Sequence, residues 1–168
     1  MEVGKRYLDA VRRAAGYVFQ DPESQLFLAN VREDVAFGPR NEGLDEAAVR
    51  RRTDDALAAV GISSLADEHV YRLSGGQKRL ASIATVLSLR PEVLLLDEPT
   101  LALDPRNRRM VIRVLKELPC AKLIATHDLD FVRDVCSRVL VMSDGRIVAE
   151  GAPPDILGDS ELLESNGL

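Results

Sequence analysis

The sequence is poor in features that would each point to a particular class of protein. It has only two cysteines in 168 residues, too few for a disulfide framework, which favours a reducing compartment. No apolar run reaches the roughly 18 residues that a membrane-spanning helix needs. No basic-then-apolar leader follows Met1. We therefore expect a cytoplasmic protein, which sits on the inner face of a membrane only through a partner.

The sequence also lacks an excess of basic residues. Its 27 acidic and 22 basic side chains give a formal net charge of −5, and hydrophobic residues make up 46% of the chain. The arginines cluster only at residues 50–52 and 106–109. Such short clusters are more typical of solvated helix faces than of nucleic-acid-binding patches. The composition predicts one ordinary globular domain with its own core and no nucleic-acid partner.

Apolar runs of strand length are present and alternate with helical patterns. Residues 93–96 and 122–126 are predicted to be buried strands, with a helix at 106–118 between them that Asp104 and Pro105 begin. A short strand is also predicted at residues 16–19. This alternation predicts an α/β fold with a parallel sheet. Near the C-terminus, Asp144 and Gly145 predict a hairpin turn, followed by a short helix or tail.

The stretch between the first two strands has no convincing strand pattern. A helix is predicted at residues 45–60, with Gly61 as its stop, and a buried helix at 78–89. Residues 25–37 are predicted to form two short helical pieces broken near Asn30, with a turn at Gly38 and Pro39. The predicted organisation is a sheet-containing core at residues 1–20 and 91–152, a helical subdomain at 21–90, and a tail at 153–168.

The pentapeptide at residues 73–77 leads into the second of these helices. It consists of Leu73, Ser74, Gly75, Gly76 and Gln77. A helix N-terminus presents unpaired N–H groups and a positive dipole end, which suit a phosphate, and a serine adds a hydroxyl donor. A capping serine followed by turn glycines gives the same pattern. The pentapeptide alone leaves both interpretations open.

Polar side chains follow three of the predicted strands. They are Gln20, then Asp97 and Glu98, then His127. In open parallel sheets, ligands bind beyond the carboxyl ends of the strands. One carboxylate can hold Mg²⁺ and the other can polarise a water. Taken singly, the acidic pair could be a solvated turn and the histidine a structural one, but together they predict a site.

In this order the motifs resemble those of ABC transporter ATPases. Gln20 corresponds to the Q-loop, the 73–77 pentapeptide to the signature motif, residues 94–99 to the Walker B strand, Leu103 and Asp104 to the D-loop, and His127 to the switch histidine. The resemblance covers nearly the whole chain. Residues 18–27 and 31–39 are similar to the ATPases of energy-coupling-factor and cobalt/nickel importers.

The resemblance implies a role for each of these residues, with ATP and Mg²⁺ as cofactors. Asp97 would help to hold Mg²⁺, Glu98 would activate the attacking water, and His127 would contact the γ-phosphate. Gln20 would sense Mg²⁺ and the water. Ser74 and Gly76, with Gly75 and Gln77 in the same loop, would bind ATP held by an opposing subunit, and Asp104 would cross that dimer interface. The implied partners are a second ABC ATPase and a membrane-embedded subunit contacted through the helical subdomain.

The chain also departs from the family pattern. No G-x-x-x-x-G-K-[ST] phosphate loop, the Walker A motif, occurs anywhere in it. Gly4 and Lys5 are followed by Arg6 and lie too close to Gln20 to be that motif. A smaller departure is Leu101 and Ala102, where the family often has a serine and a small residue. Without the phosphate loop, the main contacts to the β- and γ-phosphates are missing.

The family resemblance also predicts a gap in the sheet. In ABC ATPases the Walker A strand lies between the strands that correspond here to residues 123–126 and 139–142. We expect this gap to be filled by a strand from a second copy, a register change or a partner chain, because unpaired strand edges inside a sheet are costly.

Three functions remain open at this stage. The chain represents an importer ATPase that hydrolyses ATP poorly or not at all by itself, a non-catalytic partner that completes the site of a full-length ATPase, or a truncated product.

Overall fold

The computed structural model describes residues 7–168, which divide into two compact units, one ending at Ala125 and the other spanning Thr126–Leu168. The start of the predicted core segment, residues 1–6, lies outside the described residues. In the first unit, helix α1 spans Leu8–Ala14 and leads directly into strand β1, Ala15–Val18. The sequence predicted the strand one residue later and did not predict the helix.

A three-stranded parallel sheet forms the centre of the first unit. Its strands are β1, β2 (Val93–Asp97) and β3 (Ala121–Ala125), in that order, with β2 in the middle. Tyr17 lies opposite Leu95, and Leu95 opposite Leu123. Leu94 and Leu96 are buried, as a central strand requires. The predicted α/β fold with a parallel sheet is confirmed.

Three long helices lie between β1 and β2 in sequence and pack on one another. They are α2 (Val31–Asn41), α3 (Glu46–Ala59) and α4 (Gly75–Leu87). Helix α4 also packs on β1, and Leu80 and Ile83 in it are fully buried. The central position of α4 explains its low polarity, since it contacts neighbours on most faces.

The predicted break pattern in α2 is wrong. Residues 25–30 are irregular after a short 3-10 turn at Pro22–Ser24, and a single helix continues through Gly38 and Pro39. The Asn30 side chain accepts a hydrogen bond from the Glu33 amide at 2.9 Å, so the apparent break is the N-cap. Pro39 lies near the end of α2, where it removes only one helical hydrogen bond.

The other helix predictions in the first unit are close to the structure. Asp45 caps α3 through the Ala48 amide at 2.7 Å, and Gly61 follows the helix with a φ of 73°. Helix α5 spans Pro105–Glu117, with Asp104 as its N-cap. Helix α4 begins three residues before its predicted start, so Gly75, Gly76 and Gln77 form its first turn rather than a loop.

The second unit consists of short elements. Helix α6 (Leu129–Val135) precedes an antiparallel hairpin of β4 (Val139–Ser143) and β5 (Arg146–Gly151). The hairpin turn has positive φ at both central residues, 49° at Asp144 and 74° at Gly145, as the Asp-Gly pair predicted. Helices α7 (Pro153–Leu157) and α8 (Ser160–Ser165) follow.

The parallel sheet ends at β3. Among the described residues, β3 pairs only with β2, and β4 pairs only with β5. Leu123 in β3 is 59% exposed. No described strand occupies the position that the family resemblance assigns next to β3, and what fills that position stays a prediction.

Candidate functional site

The carboxyl ends of β1 and β2 form the first part of the candidate site. The Tyr17 hydroxyl donates to Asp97 Oδ2 at 3.2 Å, because the parallel register places the two side chains on one face of neighbouring strands. Desolvation, together with the negative charge of Asp97, raises the pKa of Tyr17. Sequence reasoning did not select Tyr17, although side-chain alternation in a parallel pair could have indicated it.

Glu98 follows β2 in an unusual backbone conformation. Its φ is 43°, in the left-handed region that non-glycine residues rarely adopt. Its amide donates to the Ala125 carbonyl at 2.9 Å, which extends the β2–β3 ladder by one bond. A second left-handed residue, Ala102 with φ 58°, lies in the loop before α5. Such conformations cluster at functional sites because the surrounding structure must maintain them.

The 73–77 pentapeptide leads into α4, with Ser74 as the N-cap, and forms a capping box. Ser74 Oγ accepts from the Gln77 amide at 3.3 Å, and Gln77 Oε1 accepts from the Ser74 amide at 2.8 Å. The capping interpretation of Ser74 is therefore correct. It does not exclude phosphate binding, because a hydroxyl that accepts one bond still has a hydrogen to donate.

Gly76 brings the first turns of α4 and α5 together. A Cβ on Gly76 would lie 2.2 Å from Asn107 Cγ, closer than real contacts allow. Asn107 is in turn fixed by Asp104, which accepts from the Arg106 and Asn107 amides at 2.9 Å each and from Asn107 Nδ2. The hydrogen bond from the Asn107 amide is the main factor that lowers the pKa of Asp104. The predicted signature and D-loop residues are thus neighbours.

Gln20 lies two residues after the end of β1 and is exposed. Its main-chain carbonyl accepts from Arg79 Nη2 at 2.5 Å, and the carbonyl of Phe19 accepts from Arg79 Nη1 at 2.6 Å. Arg79 belongs to α4, so the start of the predicted Q-loop is bound to the same helix that carries Ser74. Arg79 was not selected from the sequence.

The predicted site residues therefore fall into two clusters in the first unit. One contains Gln20, Asp97 and Glu98 at the strand ends, and the other contains Ser74 to Gln77 with Asp104 at the helix N-termini. His127 is exposed and belongs to the second unit, so its place beside Glu98 stays a prediction.

A family comparison identifies the fold. The family model described as ABC transporter matches residues 2–101 of this chain. The chain belongs to the ABC transporter ATP-binding family. Membership implies nucleotide binding.

Curated relatives and a solved structure agree with this membership. An ABC transporter ATP-binding protein of Geobacter sulfurreducens is 51% identical over 156 residues, 93% of this chain and 63% of that protein. The energy-coupling factor transporter ATP-binding protein EcfA of Methanothermobacter thermautotrophicus is 40% identical over 171 residues, all of this chain and 55% of that protein. The structure of CbiO1 from Clostridium perfringens, described as part of the ABC transporter complex CbiONQ, superposes with a TM-score of 0.87 and 40% identity. It covers 98% of this chain and 67% of CbiO1.

The chain therefore spans between 55% and 67% of the length of these three relatives. No helix in residues 7–168 is long and apolar enough to cross a membrane.

The donor set at the ends of β1 and β2 is compatible with Mg²⁺. No group of three or more His, Cys, Asp or Glu side chains that could hold a metal occurs within the described residues. Mg²⁺ in nucleotide sites, however, is usually held by one or two carboxylates, substrate phosphates and water. A carboxylate has about four lone-pair sites, so the bond from Tyr17 leaves Asp97 able to bind a cation.

Proposed function

We propose that this chain is an ATP-binding component of an importer of the cobalt/nickel or energy-coupling-factor type, and that it acts by completing the nucleotide site of a second polypeptide. The observation that carries the proposal is the signature motif. Ser74, the N-cap, and Gly75 are exposed at the start of α4, while Gly76 is buried against α5. The helix N-terminus there has N–H groups and a positive dipole end available to a phosphate.

The strand-end cluster supports the hydrolytic roles that the family resemblance implies. Asp97 would hold Mg²⁺, Glu98 would orient and activate the attacking water, and Gln20 would sense both. His127 would contact the γ-phosphate, and Asp104 would cross the dimer interface. Bound ATP and Mg²⁺ supply the phosphoryl group and its charge neutralisation, while these side chains position the water and the phosphate.

We also propose that the chain hydrolyses ATP poorly or not at all without another polypeptide. The sequence contains no Walker A motif, and in P-loop enzymes that loop and its lysine cradle the β- and γ-phosphates. At the site that this chain's signature motif would complete, the phosphate loop would come from the partner subunit, which would explain why an intact signature motif is useful in this chain.

The membrane-embedded subunit is proposed to bind the helical stretch between β1 and β2. An open groove of about 460 Å³ lies there, with the exposed rings of Phe27 and Tyr71 beside Leu26 and Val70. Phe27 packs edge-on against Phe37, and Tyr71 stacks on His69. Exposed aromatic side chains of this kind are enriched at protein interfaces. EcfA is described as an energy-coupling factor transporter ATP-binding protein and CbiO1 as part of an ABC transporter complex, and these descriptions support the proposed kind of transporter.

A substitution at Ser74 can test nucleotide-dependent association without unfolding the helix. Aspartate caps helices as well as serine, so Ser74→Asp keeps the cap while placing a negative charge where the phosphate would bind. The chain is mixed with a full-length Walker A-bearing relative, with and without Mg²⁺-ATP, and association is measured by analytical ultracentrifugation. We expect ATP-dependent association for the native chain and at least a tenfold weaker one for Ser74→Asp.

The control is Ser74→Thr, which keeps both the cap and the hydroxyl. We expect it to associate like the native chain. Equal association of Ser74→Asp and the native chain, or no association in any nucleotide state, would refute the proposal.

A further inference from the structure

Arg79 is a buried charge that the proposed reaction does not use. It lies in the second turn of α4, and the residue is only 2% exposed. Among the described residues, no carboxylate lies within ion-pairing distance of its guanidinium. A buried charge without a direct counter-ion is costly, so its retention at this position calls for a specific interaction.

The guanidinium binds main-chain carbonyls at the end of β1. Nη1 donates to Phe19 O at 2.6 Å and Nη2 to Gln20 O at 2.5 Å, while the buried Nε has no hydrogen-bond partner. Charge-assisted bonds of this kind are short and roughly twice as strong as neutral ones. These are the first two residues after β1, where the chain leaves the sheet.

Two nearby carboxylates favour the charged form of Arg79. Burial lowers the pKa of Arg79, and the negative charges of Asp21 and Asp97 oppose that shift. Asp21 is the residue next to Gln20, and Asp97 is the predicted Mg²⁺ ligand at the end of β2. The cation thus lies in the field of the strand-end cluster as well as in contact with its backbone.

Other side chains attach the same segment to α4. Gln25 Oε1 accepts from the Phe19 amide at 3.0 Å, and its Nε2 donates to Ser82 O and Thr85 Oγ1 at 2.8 Å each. Lys78 forms an ion pair with Glu23. Residues 78, 82 and 85 are spaced three or four apart, so they lie on one face of α4.

We propose that Arg79 is the positioning residue that makes residues 19–25 and α4 move as one body, and so couples Gln20 to the signature motif. Arg79 lies five residues after Ser74, about 7.5 Å along the helix axis. A displacement of the Gln20 segment would therefore be transmitted to the turn that contacts the partner's nucleotide. The coupling itself is a property of this chain, and only its functional consequence rests on the proposed function.

Hydrogen exchange of the Phe19 amide tests the coupling in the chain alone. The variants are Arg79→Met, which has no donor, and Arg79→Lys, which keeps a charged donor. Arg40→Met is the matched control, because Arg40 is an exposed arginine whose partner is Glu46. We expect Arg79→Met to lose about tenfold or more of the protection at Phe19, Arg79→Lys to lose less, and Arg40→Met to show no change.

The Ile83 amide in the interior of α4 separates local release from general destabilisation. Under the proposal, Phe19 loses more protection than Ile83. Equal losses at both amides, or unchanged protection at Phe19 in Arg79→Met, would overturn it.

A second arm measures the functional consequence in the mixed complex with a Walker A-bearing relative. We expect Arg79→Met to lower ATP turnover at saturating ATP about tenfold while association stays native, with Arg79→Lys partly restoring turnover. Native turnover in Arg79→Met would overturn the link to the signature motif. If no complex forms even with the native chain, the proposed function fails, and the exchange experiment still decides the role of Arg79.

Discussion

At the scale of single residues, the two glycines of the 73–77 pentapeptide have different structural roles. A Cβ on Gly75 would meet nothing within 4 Å, whereas one on Gly76 would collide with Asn107. We expect Gly75→Ala to change the free energy of unfolding by less than about 1 kcal/mol. Gly76→Ala should cost about 1–3 kcal/mol, because the first turns of α4 and α5 must separate. Urea denaturation of both variants measures this difference, and equal stabilities would contradict the packing argument.

A buried carboxylate gives a second prediction at this scale. Asp34 is 3% exposed, its Oδ1 accepts from the Phe27 and Leu28 amides at 3.1 Å each, and its buried Oδ2 has no hydrogen-bond partner. Desolvation raises the pKa of Asp34, and the two amide hydrogen bonds oppose that shift. The folded chain therefore binds more protons than the unfolded chain, so this residue makes stability fall as the pH rises through its folded pKa.

Asp34→Asn removes this titration and keeps the acceptor for both amides. Relative to the native chain, we expect the free energy of unfolding of Asp34→Asn to increase as the pH rises from about 4 to 7. Asp104→Asn is the control, because we expect its stability relative to the native chain to change with pH in the opposite direction. Because the folded pKa of Asp104 is lowered, its carboxylate stabilises the chain above the unfolded pKa, and that contribution is lost as the pH falls. If the free energies of unfolding of the two variants, relative to the native chain, changed with pH in the same direction, these directions of the pKa shifts of Asp34 and Asp104 would be ruled out.

At the scale of elements, the loop between β2 and α5 is held in a strained shape. Ala102 has a φ of 58°, which costs an L-residue roughly 1–2 kcal/mol and costs glycine little. We expect Ala102→Gly to raise the free energy of unfolding by up to about 1 kcal/mol, since glycine is also more flexible in the unfolded chain. Ala58→Gly, at an exposed position in the last turn of α3, should instead lower it, by less than about 1 kcal/mol. Thermal denaturation measures whether each substitution stabilises or destabilises the chain. Destabilisation by both variants would refute the strain at Ala102.

Helices with a cap or a stop residue were predictable from the sequence, as α3 and α5 show. The caps act through local hydrogen bonds from Asp45 and Asp104, and Pro105 acts through its fixed φ. A few neighbouring residues in the sequence are therefore enough to predict where these helices begin. The start of α4 was placed late because Gly75 and Gly76 favour turns when only propensity is considered. The capping box and the contact with Asn107 stabilise them in a helix. The unbroken course of α2 through Pro39 likewise depends on packing that a local pattern does not contain.

The residues of the candidate site were selected from the sequence, but the hydrogen bonds that connect them could not be predicted from it. Strand ends and motif order selected Gln20, Asp97 and Glu98 because those signals are local. The bond from Tyr17 to Asp97 spans 80 residues and depends on the register of β1 against β2. The bonds from Arg79 to the carbonyls of Phe19 and Gln20 depend on how α4 packs against β1. Both contacts need the tertiary structure.

At the scale of the whole molecule, the hydrogen bonds between β2 and β3 show which backbone groups of β3 face away from β2. The Ala121 amide donates to Glu92 O, and the Ala125 carbonyl accepts from the Glu98 amide. Residues 121, 123 and 125 therefore direct their backbone groups toward β2. In a strand, alternate residues face opposite neighbours, so the backbone N–H and C=O groups of Lys122 and Ile124 face the open edge.

We expect a further strand to pair with this edge, because no described strand pairs its backbone groups and exposed apolar side chains such as Leu123 lie beside them. In the monomeric chain, the Lys122 and Ile124 amides should exchange rapidly while those of Leu123 and Ala125 are protected. Protection of the first two should appear with rising concentration if a second copy supplies the strand. Protection of these two amides should instead appear when a Walker A-bearing relative is added, if a partner chain supplies the strand. Protection of Lys122 and Ile124 in a dilute chain of monomeric mass would show that the chain closes its own sheet, and no foreign strand would then be needed.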